Sequence, residues 1–265
     1  MKKIAILISG NNDNKINKKK ILAGYDFENN MRILRYQFEK YYEVDYYIVM
    51  NKQIDLNIFD NKVKKFKILP DTQIKAQNEY GFSKRHLLKK IIKDTEKENY
   101  EFYLYVRNDR ILVPNGFGLW TRTVKYEESA GWKRVHMMEK EDYYRHFKFK
   151  DSINLDYIYC ISYGYKTHIS QADLIWDGLC LGNYENINIF LNFDCNKFDY
   201  NNTKKKLTKK LTKKLEILNK FANYPEYRMK QYLDKNNLQI ESIDKINDIP
   251  DIDEHLQMIS NPGYA

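Results

Sequence analysis

The sequence predicts an α/β fold: a central mixed or mostly parallel sheet over residues 1–200, flanked by helices, with a helical C-terminal part at 201–265 packed on the same domain. Three observations carry that expectation. The chain begins with KIAILIS at 3–9, a continuous apolar run ended by Gly10, which is the pattern of a central strand buried on both faces. Segments then follow as strand, helix, strand, strand, helix, strand, an order that implies right-handed crossovers. The chain has 265 residues, 43% hydrophobic and 31% charged, a globular balance with enough length to bury a sizeable core.

Each element has its own signal. Residues 28–42 read as a helix, with Met31, Leu34, Phe38 and Tyr41 at helical spacing. Residues 44–50 read as a second strand, and 65–69 as a third, closed by Pro70-Asp71. Residues 77–97 read as a long helix burying Leu87, Leu88, Ile91 and Ile92. The stretch 100–114, YEFYLYVRNDRILVP, follows. Its first half alternates Phe102, Leu104 and Val106 with Tyr103, Tyr105 and Arg107, a strand pattern. It then switches to Arg107-Asn108-Asp109-Arg110 before Ile111-Leu112-Val113 and Pro114.

From 115 to 151 the periodicity dissolves among Gly116, Gly118, Gly131, Trp120 and Trp132, and an aperiodic stretch of that length is functional more often than idle. Strand character returns at 157–162. SQADLIWDG at 170–178 sets Asp173 and Asp177 on either side of an apolar triplet. Residues 204–222 read as a helix with a leucine stripe, 225–236 as a helix started by Pro225, and 249–265 as an extended or loosely packed tail.

The net charge is +9, which attracts polyanions, nucleotides and anionic membranes. Part of it is concentrated in KKKLTKKLTKKL at 204–215, a basic amphipathic segment. Its ordinary meaning is a solvated face over a leucine seam; its sharper meaning is peripheral attachment to an anionic membrane. A nucleic-acid-binding protein is the rival reading of the charge, but no RNP, KH or zinc-finger signature accompanies it. Cys160, Cys180 and Cys195 form no metal spacing, and an odd count without a framework points to a reduced compartment. The first apolar run is too short for a signal-peptide core. No run reaches the about 18 apolar residues of a membrane span. A cytoplasmic location is expected.

At a sheet edge, Asp109 and Asn108 offer the hard oxygens that Mg²⁺ or Mn²⁺ takes together with water and phosphate. The plain alternative is a strand-end turn, where Asn and Asp are ordinary. Gly10 lets backbone approach a ligand closely, although Ser9-Gly10 is not part of a GxGxxG fingerprint. Lys84 and Arg85, near the start of the long helix, either meet phosphate or form a solvated helix face. The 5 histidines show no paired metal spacing.

KIAILISG, the helix followed by VDYYIVMN, the long helix with Lys84 and Arg85, and YEFYLYVRNDRIL together resemble the nucleotide-sugar half of GT-A-type glycosyltransferases. The resemblance is to WavE-like lipopolysaccharide-synthesis enzymes and related bacterial and viral transferases, and it spans roughly residues 1–240. There a strand ends in Arg-x-Asp, and a later Ser-x-x-Asp precedes an apolar run and Gly, matched here by Ser170 to Gly178; Pro225-Glu226 and Tyr232-Leu233 match a late segment.

The resemblance implies a GT-A-like Rossmann-type domain that moves a sugar from a nucleotide diphosphate sugar to a hydroxyl of a glycan or lipid-linked glycan. It implies that Ser9 and Gly10 face the base and ribose, and that Asp109 holds Mn²⁺ or Mg²⁺ beside the diphosphate, with Arg107 and Asn108 adjoining. Asp173, with Asp177 next, becomes the general base of an inverting transfer; the plain alternative is capping or a turn. The family's Asp-x-Asp is reduced here to Arg107-Asn108-Asp109, a single carboxylate. That leaves room for a transferase-like binding protein without turnover.

Overall fold

The computed structural model describes residues 1–10, 27–70, 80–108, 110–115, 123–125, 134–136, 146–162, 175–194, 225–246, 248 and 255–260. The strands, in chain order, are β1 (Lys2–Gly10), β2 (Tyr42–Met50), β3 (Val63–Ile68), β4 (Phe102–Arg107), β5 (Arg110–Asn115), β6 (Thr123–Lys125), β7 (Arg134–His136), β8 (Tyr157–Ser162), β9 (Ile175–Gly182), β10 (Gln239–Ser242) and β11 (His255–Ser260). The α-helices are α1 (Phe27–Phe38), α2 (Tyr80–Ile91), α3 (Tyr184–Leu191) and α4 (Pro225–Lys235).

A seven-stranded sheet in the order β10-β8-β9-β4-β1-β2-β3 forms the centre. β4, β1, β2 and β3 are mutually parallel, β9 runs antiparallel to both β4 and β8, and β10 is parallel to β8. The fold is therefore α/β with a mixed sheet flanked by helices, as the alternation of segments predicts. The apolar run of β1 explains its central place: Ile4, Ile6 and Ile8 face one layer, and Ala5 and Leu7 the other, all fully buried. Phe27, Met31, Leu34 and Phe38 of α1 cover the first face. Phe82, Leu88 and Ile91 of α2, Ile187 and Phe190 of α3, and Met229 and Leu233 of α4 cover the second. β4 alternates in the same way, Phe102, Leu104 and Val106 into one cluster and Tyr103 and Tyr105 into the other.

Several boundaries differ from the sequence expectation for physical reasons. The first helix stops at Phe38 rather than running to 42, because Tyr42 already pairs with Lys2 in the β1–β2 ladder. Its ring is buried against Phe102 and Phe149, and its hydroxyl accepts the Phe149 N–H at 2.7 Å. The second helix does not continue to 97: after Ile91 the chain tightens into a 3₁₀ turn, Lys93–Lys97. Thr95 donates its hydroxyl to the Ile92 carbonyl at 2.7 Å, the kind of local bond that competes with the α-helix. Asp177-Gly178, weighed as a turn, lies inside β9. The tail expected to be extended or loose contains β11, which pairs antiparallel with β5 from Ser260↔Arg110 to His255↔Asn115. Residues 201–265 thus carry strands as well as helix, since β10 forms an edge of the central sheet. The basic segment 204–215, Trp120 and Trp132 lie outside the described residues. Among the described residues no helix is long and apolar enough to cross a membrane.

Candidate functional site

The strand order places a topological switch point between β1 and β4. From β1 the chain passes through α1 to β2 on one side, whereas β4 lies on the other. In open α/β sheets the crevice beyond the carboxyl ends of two such strands is where ligands bind. Ser9 pairs with Arg107 across that gap. The Asn108 N–H donates to the Ser9 carbonyl at 3.1 Å, so the pairing runs one step past the end of β4. Gly10 and Asn108 then meet directly. A Cβ added at Gly10 would land on Asn108 Oδ1, so only glycine leaves the Asn108 side chain its position.

The residues singled out by the sequence sort into distinct environments here. Ser9 is 2% exposed, and its hydroxyl lies 2.9 Å from the Tyr105 hydroxyl. Arg107, the last residue of β4, is half-buried. Lys84 and Arg85 are both 1% exposed, so neither lies on the solvated helix face considered for them. The Arg85 guanidinium sits among Phe82, Tyr105 and Phe190, 5.2–5.4 Å from each ring centre, and Nε donates to the Tyr105 hydroxyl at 3.1 Å. Aromatic faces partly offset the desolvation of a buried cation.

β9 enters the sheet from the same edge. Leu179 pairs with Val106, and Asp177 precedes it by two residues on an antiparallel strand. The backbone of Asp177, two residues before Leu179, thus lies toward the carboxyl end of β4, although β9 shifts register against β8 over this stretch. Asp173, Asp109 and the side chain of Asp177 lie outside the described residues. So Ser9, Gly10, Arg107 and Asn108 come together at one sheet edge, and Arg85 is linked to Ser9 through the Tyr105 hydroxyl. Among the described residues no group of three or more His, Cys, Asp or Glu could hold a metal ion.

No family model matches the chain, and no curated protein matches it. Among solved structures it is similar to a glycosyltransferase involved in the glycosylation of the major capsid of PBCV-1, with 9% identity and a TM-score of 0.34. The match covers 71% of this chain and 63% of that chain, so this chain spans less than two thirds of that protein's length. A likeness this distant assigns no chemistry.

Two residues of the edge escape a reading of the sequence. Tyr105 links Ser9 to Arg85, yet in the sequence it is one aromatic in a strand rich in them. Asn30, in α1, is fully buried, and its Nδ2 donates to the Asn108 carbonyl at 3.1 Å. Its signal is visible in retrospect. An amide adjoins Met31 on the apolar stripe from Phe27 to Leu34, where hydrocarbon is the ordinary choice.

Proposed function

We propose that the chain transfers a sugar from a nucleotide diphosphate sugar to a hydroxyl of a glycan or lipid-linked glycan. The observation that carries this reading is the meeting of Gly10 and Asn108 at the switch point between β1 and β4. It is supported by Arg107, paired with Ser9, and by Arg85, linked to Ser9 through Tyr105, cations that favour a polyanionic ligand, and by the sequence resemblance to GT-A-type transferases. The backbone of Gly10 would lie against the nucleoside, and Arg107 would face the diphosphate. In the transfer, the acceptor oxygen attacks the anomeric carbon while the bond to the diphosphate breaks and its electron pair leaves with the phosphate. Asp173, two residues before β9 in the sequence, would take the acceptor proton, with Asp177 next in line.

A divalent cation fits this edge only as an ion held mainly by phosphate and water. The Asn108 side chain is turned over Gly10, which leaves Asp109 as the one carboxylate of the motif. One such ligand is adequate for Mg²⁺ or Mn²⁺, and the ion would neutralise the leaving diphosphate. The same single carboxylate favours, as a second reading, a protein that binds nucleotide sugar without turning it over.

The deciding experiment is a thermal-shift screen of uridine, guanosine and cytidine diphosphates with and without Mn²⁺. A ligand present at 100 times its Kd adds about 2.7 kcal/mol of stability, and the increment should be larger with the metal. No shift with any nucleotide at millimolar concentration rules the reading out. Where a donor sugar is turned over, Asp173→Asn should slow turnover by about 10²–10⁴-fold and leave donor affinity in place. The binding-protein reading instead requires no turnover across a broad acceptor panel.

A further inference from the structure

We propose that a cavity at the amino end of the central sheet binds a small organic acid, a monoanionic carboxylate carried on an apolar body. The cavity lies at the far end of the sheet from the candidate site. Lys2, which opens β1, lines it, and Gly10 closes the same strand. A nine-residue strand rising about 3.3 Å per residue separates the two by roughly 26 Å. The inference is independent of the proposed sugar transfer.

The cavity has a volume of about 200 Å³, the space of about seven liquid waters. That is more than an ion needs and less than the roughly 300 Å³ at which pockets for drug-sized ligands begin. Its apolar wall is Tyr42, Phe102, Phe149 and Ile153. The rings of Tyr42 and Phe149 each stand edge-on to Phe102, at 5.4 and 5.6 Å between centres. The segment that carries Phe149 is fixed along its length. The Phe147 N–H donates to the Gln37 carbonyl at 2.6 Å, the Lys150 N–H to the Ile246 carbonyl at 2.7 Å, and the Asp248 N–H to the Lys148 carbonyl at 2.9 Å. The wall is therefore preformed, which spares a ligand the cost of ordering it.

The open polar groups of the cavity are donors. Tyr42 is 4% exposed, and its hydroxyl accepts the Phe149 N–H at 2.7 Å. Its own proton has no acceptor among the described residues, and a buried donor left so costs free energy. The Lys150 ammonium also has no partner among the described residues. The other two cations of the lining are occupied. Lys2 bonds Glu101 at 2.8 Å and the Asp151 carbonyl at 2.9 Å, and Lys148 bonds Asp248 at 3.1 Å. The Asp151 carboxylate stands 3.8 Å from Lys2 and 3.9 Å from Lys148. An open ammonium and an open hydroxyl proton call for an acceptor, and a carboxylate accepts from both through charge-assisted bonds. Glu101, Asp151 and Asp248 already balance the other lysines, and like charges disfavour a second negative charge on the ligand. A monoanion with hydrocarbon against Phe102 and Phe149 satisfies each of these conditions.

The test is titration calorimetry of the full-length chain with benzoate, cyclohexanecarboxylate and hexanoate, which offer flat, bulky and linear bodies. Benzyl alcohol, benzylamine and phenyl phosphate serve as neutral, cationic and dianionic counterparts, and amide chemical shifts locate the ligand. The expected result is saturable binding of at least one acid, about tenfold or more tighter than any counterpart, with shifts at Tyr42, Phe102, Phe149 and Lys150. Lys150→Met keeps the stem of an exposed side chain and removes its charge, so it should fold and lose about tenfold in affinity, the scale of one hydrogen bond to a charged group. Tyr42→Phe should lose affinity as well; if that variant does not fold, Ile153→Trp, which fills the cavity from its wall, should abolish binding. No saturable binding of any acid at millimolar concentration overturns the inference, as do shifts that map elsewhere or wild-type affinity in Lys150→Met. Benzyl alcohol binding as tightly as the acids overturns the recognition of an anion, and phenyl phosphate binding more tightly overturns the single charge. Nucleoside diphosphate is titrated into the same protein. Binding of nucleotide without binding of any acid overturns this inference and leaves the proposed function standing, and the reverse result does the opposite.

Discussion

Tyr105 shows how a buried hydroxyl can order its neighbours. Arg85 can only donate, so its Nε–H at 3.1 Å makes the Tyr105 oxygen an acceptor. The Tyr105 proton is then available to Ser9, whose oxygen lies 2.9 Å away. Tyr105→Phe removes the one atom that serves both partners. It should destabilise the protein by about 1–3 kcal/mol, the usual cost of stranding a buried polar group, and a denaturant midpoint measures it. An unchanged midpoint would mean that Ser9 and Arg85 find other partners at no cost. The sequence singles out both of those residues, but not their environment. Two adjacent basic residues at a helix start read equally well as ligand contacts or as a wet surface. The aromatic enclosure of Arg85 is built from Phe82, Tyr105 and Phe190, on three separate elements. No local pattern records that convergence.

The elements themselves were legible wherever burial on both faces wrote an unbroken apolar run. β1 and β4 follow that rule, β2 follows it from Tyr46 to Met50, and α1 follows its stripe. Other elements did not announce themselves, among them β9, α3 and β11. β9 extends through Gly178 and Gly182, and glycines ordinarily weaken a strand signal. α3 is short, and it is fixed by its cap, where the Asn183 side chain accepts the Asn186 N–H at 2.8 Å. β11 pairs with a strand far away in sequence, and a non-local partner leaves no trace in a local window. That last pairing bears on the candidate site, because β5 follows Asp109 directly. In a two-stranded ladder, neighbouring residues direct their N–H groups to opposite sides. Of Gln257→Pro and Met258→Pro, one therefore deletes a bond to β5 and the other faces away. The expected outcome is unequal loss of nucleotide affinity in the two variants, read by calorimetry, with far-UV dichroism of the central sheet preserved in both. Equal, wild-type affinities would show that β11 does not support the Asp109 segment.

Across the whole molecule, the two helix layers are joined to the sheet by apolar burial and, at the outer end of α1, by one ionic knot. Glu39 receives the Arg35 Nε–H at 2.9 Å, the Lys62 ammonium at 2.6 Å and the Tyr46 hydroxyl at 2.9 Å. Arg35 also donates to the Ile58 carbonyl and to Asp60. The knot ties α1 to β2 and to the approach of β3, beneath the first core layer. Burial pushes the Glu39 carboxyl up, but the bonds from Arg35, Lys62 and Tyr46 together outweigh it and hold it below its usual value. A carboxyl whose pKa is depressed by folding stabilises the native state above its unfolded pKa, and that contribution disappears as pH falls through the folded value. Stability should therefore decline on acidification from just above the ordinary Glu range downward. Glu39→Gln keeps the shape of the side chain and removes the titrating group. The variant should be less stable than wild type at neutral pH, because Arg35 and Lys62 lose their anion. Its stability should also fall less steeply through the acid range, so that the two proteins converge at low pH. Denaturant midpoints measured from neutral pH down to about pH 3, below the reference Glu value, test both parts. Parallel curves for the two proteins would place the acid sensitivity of this fold on other carboxylates.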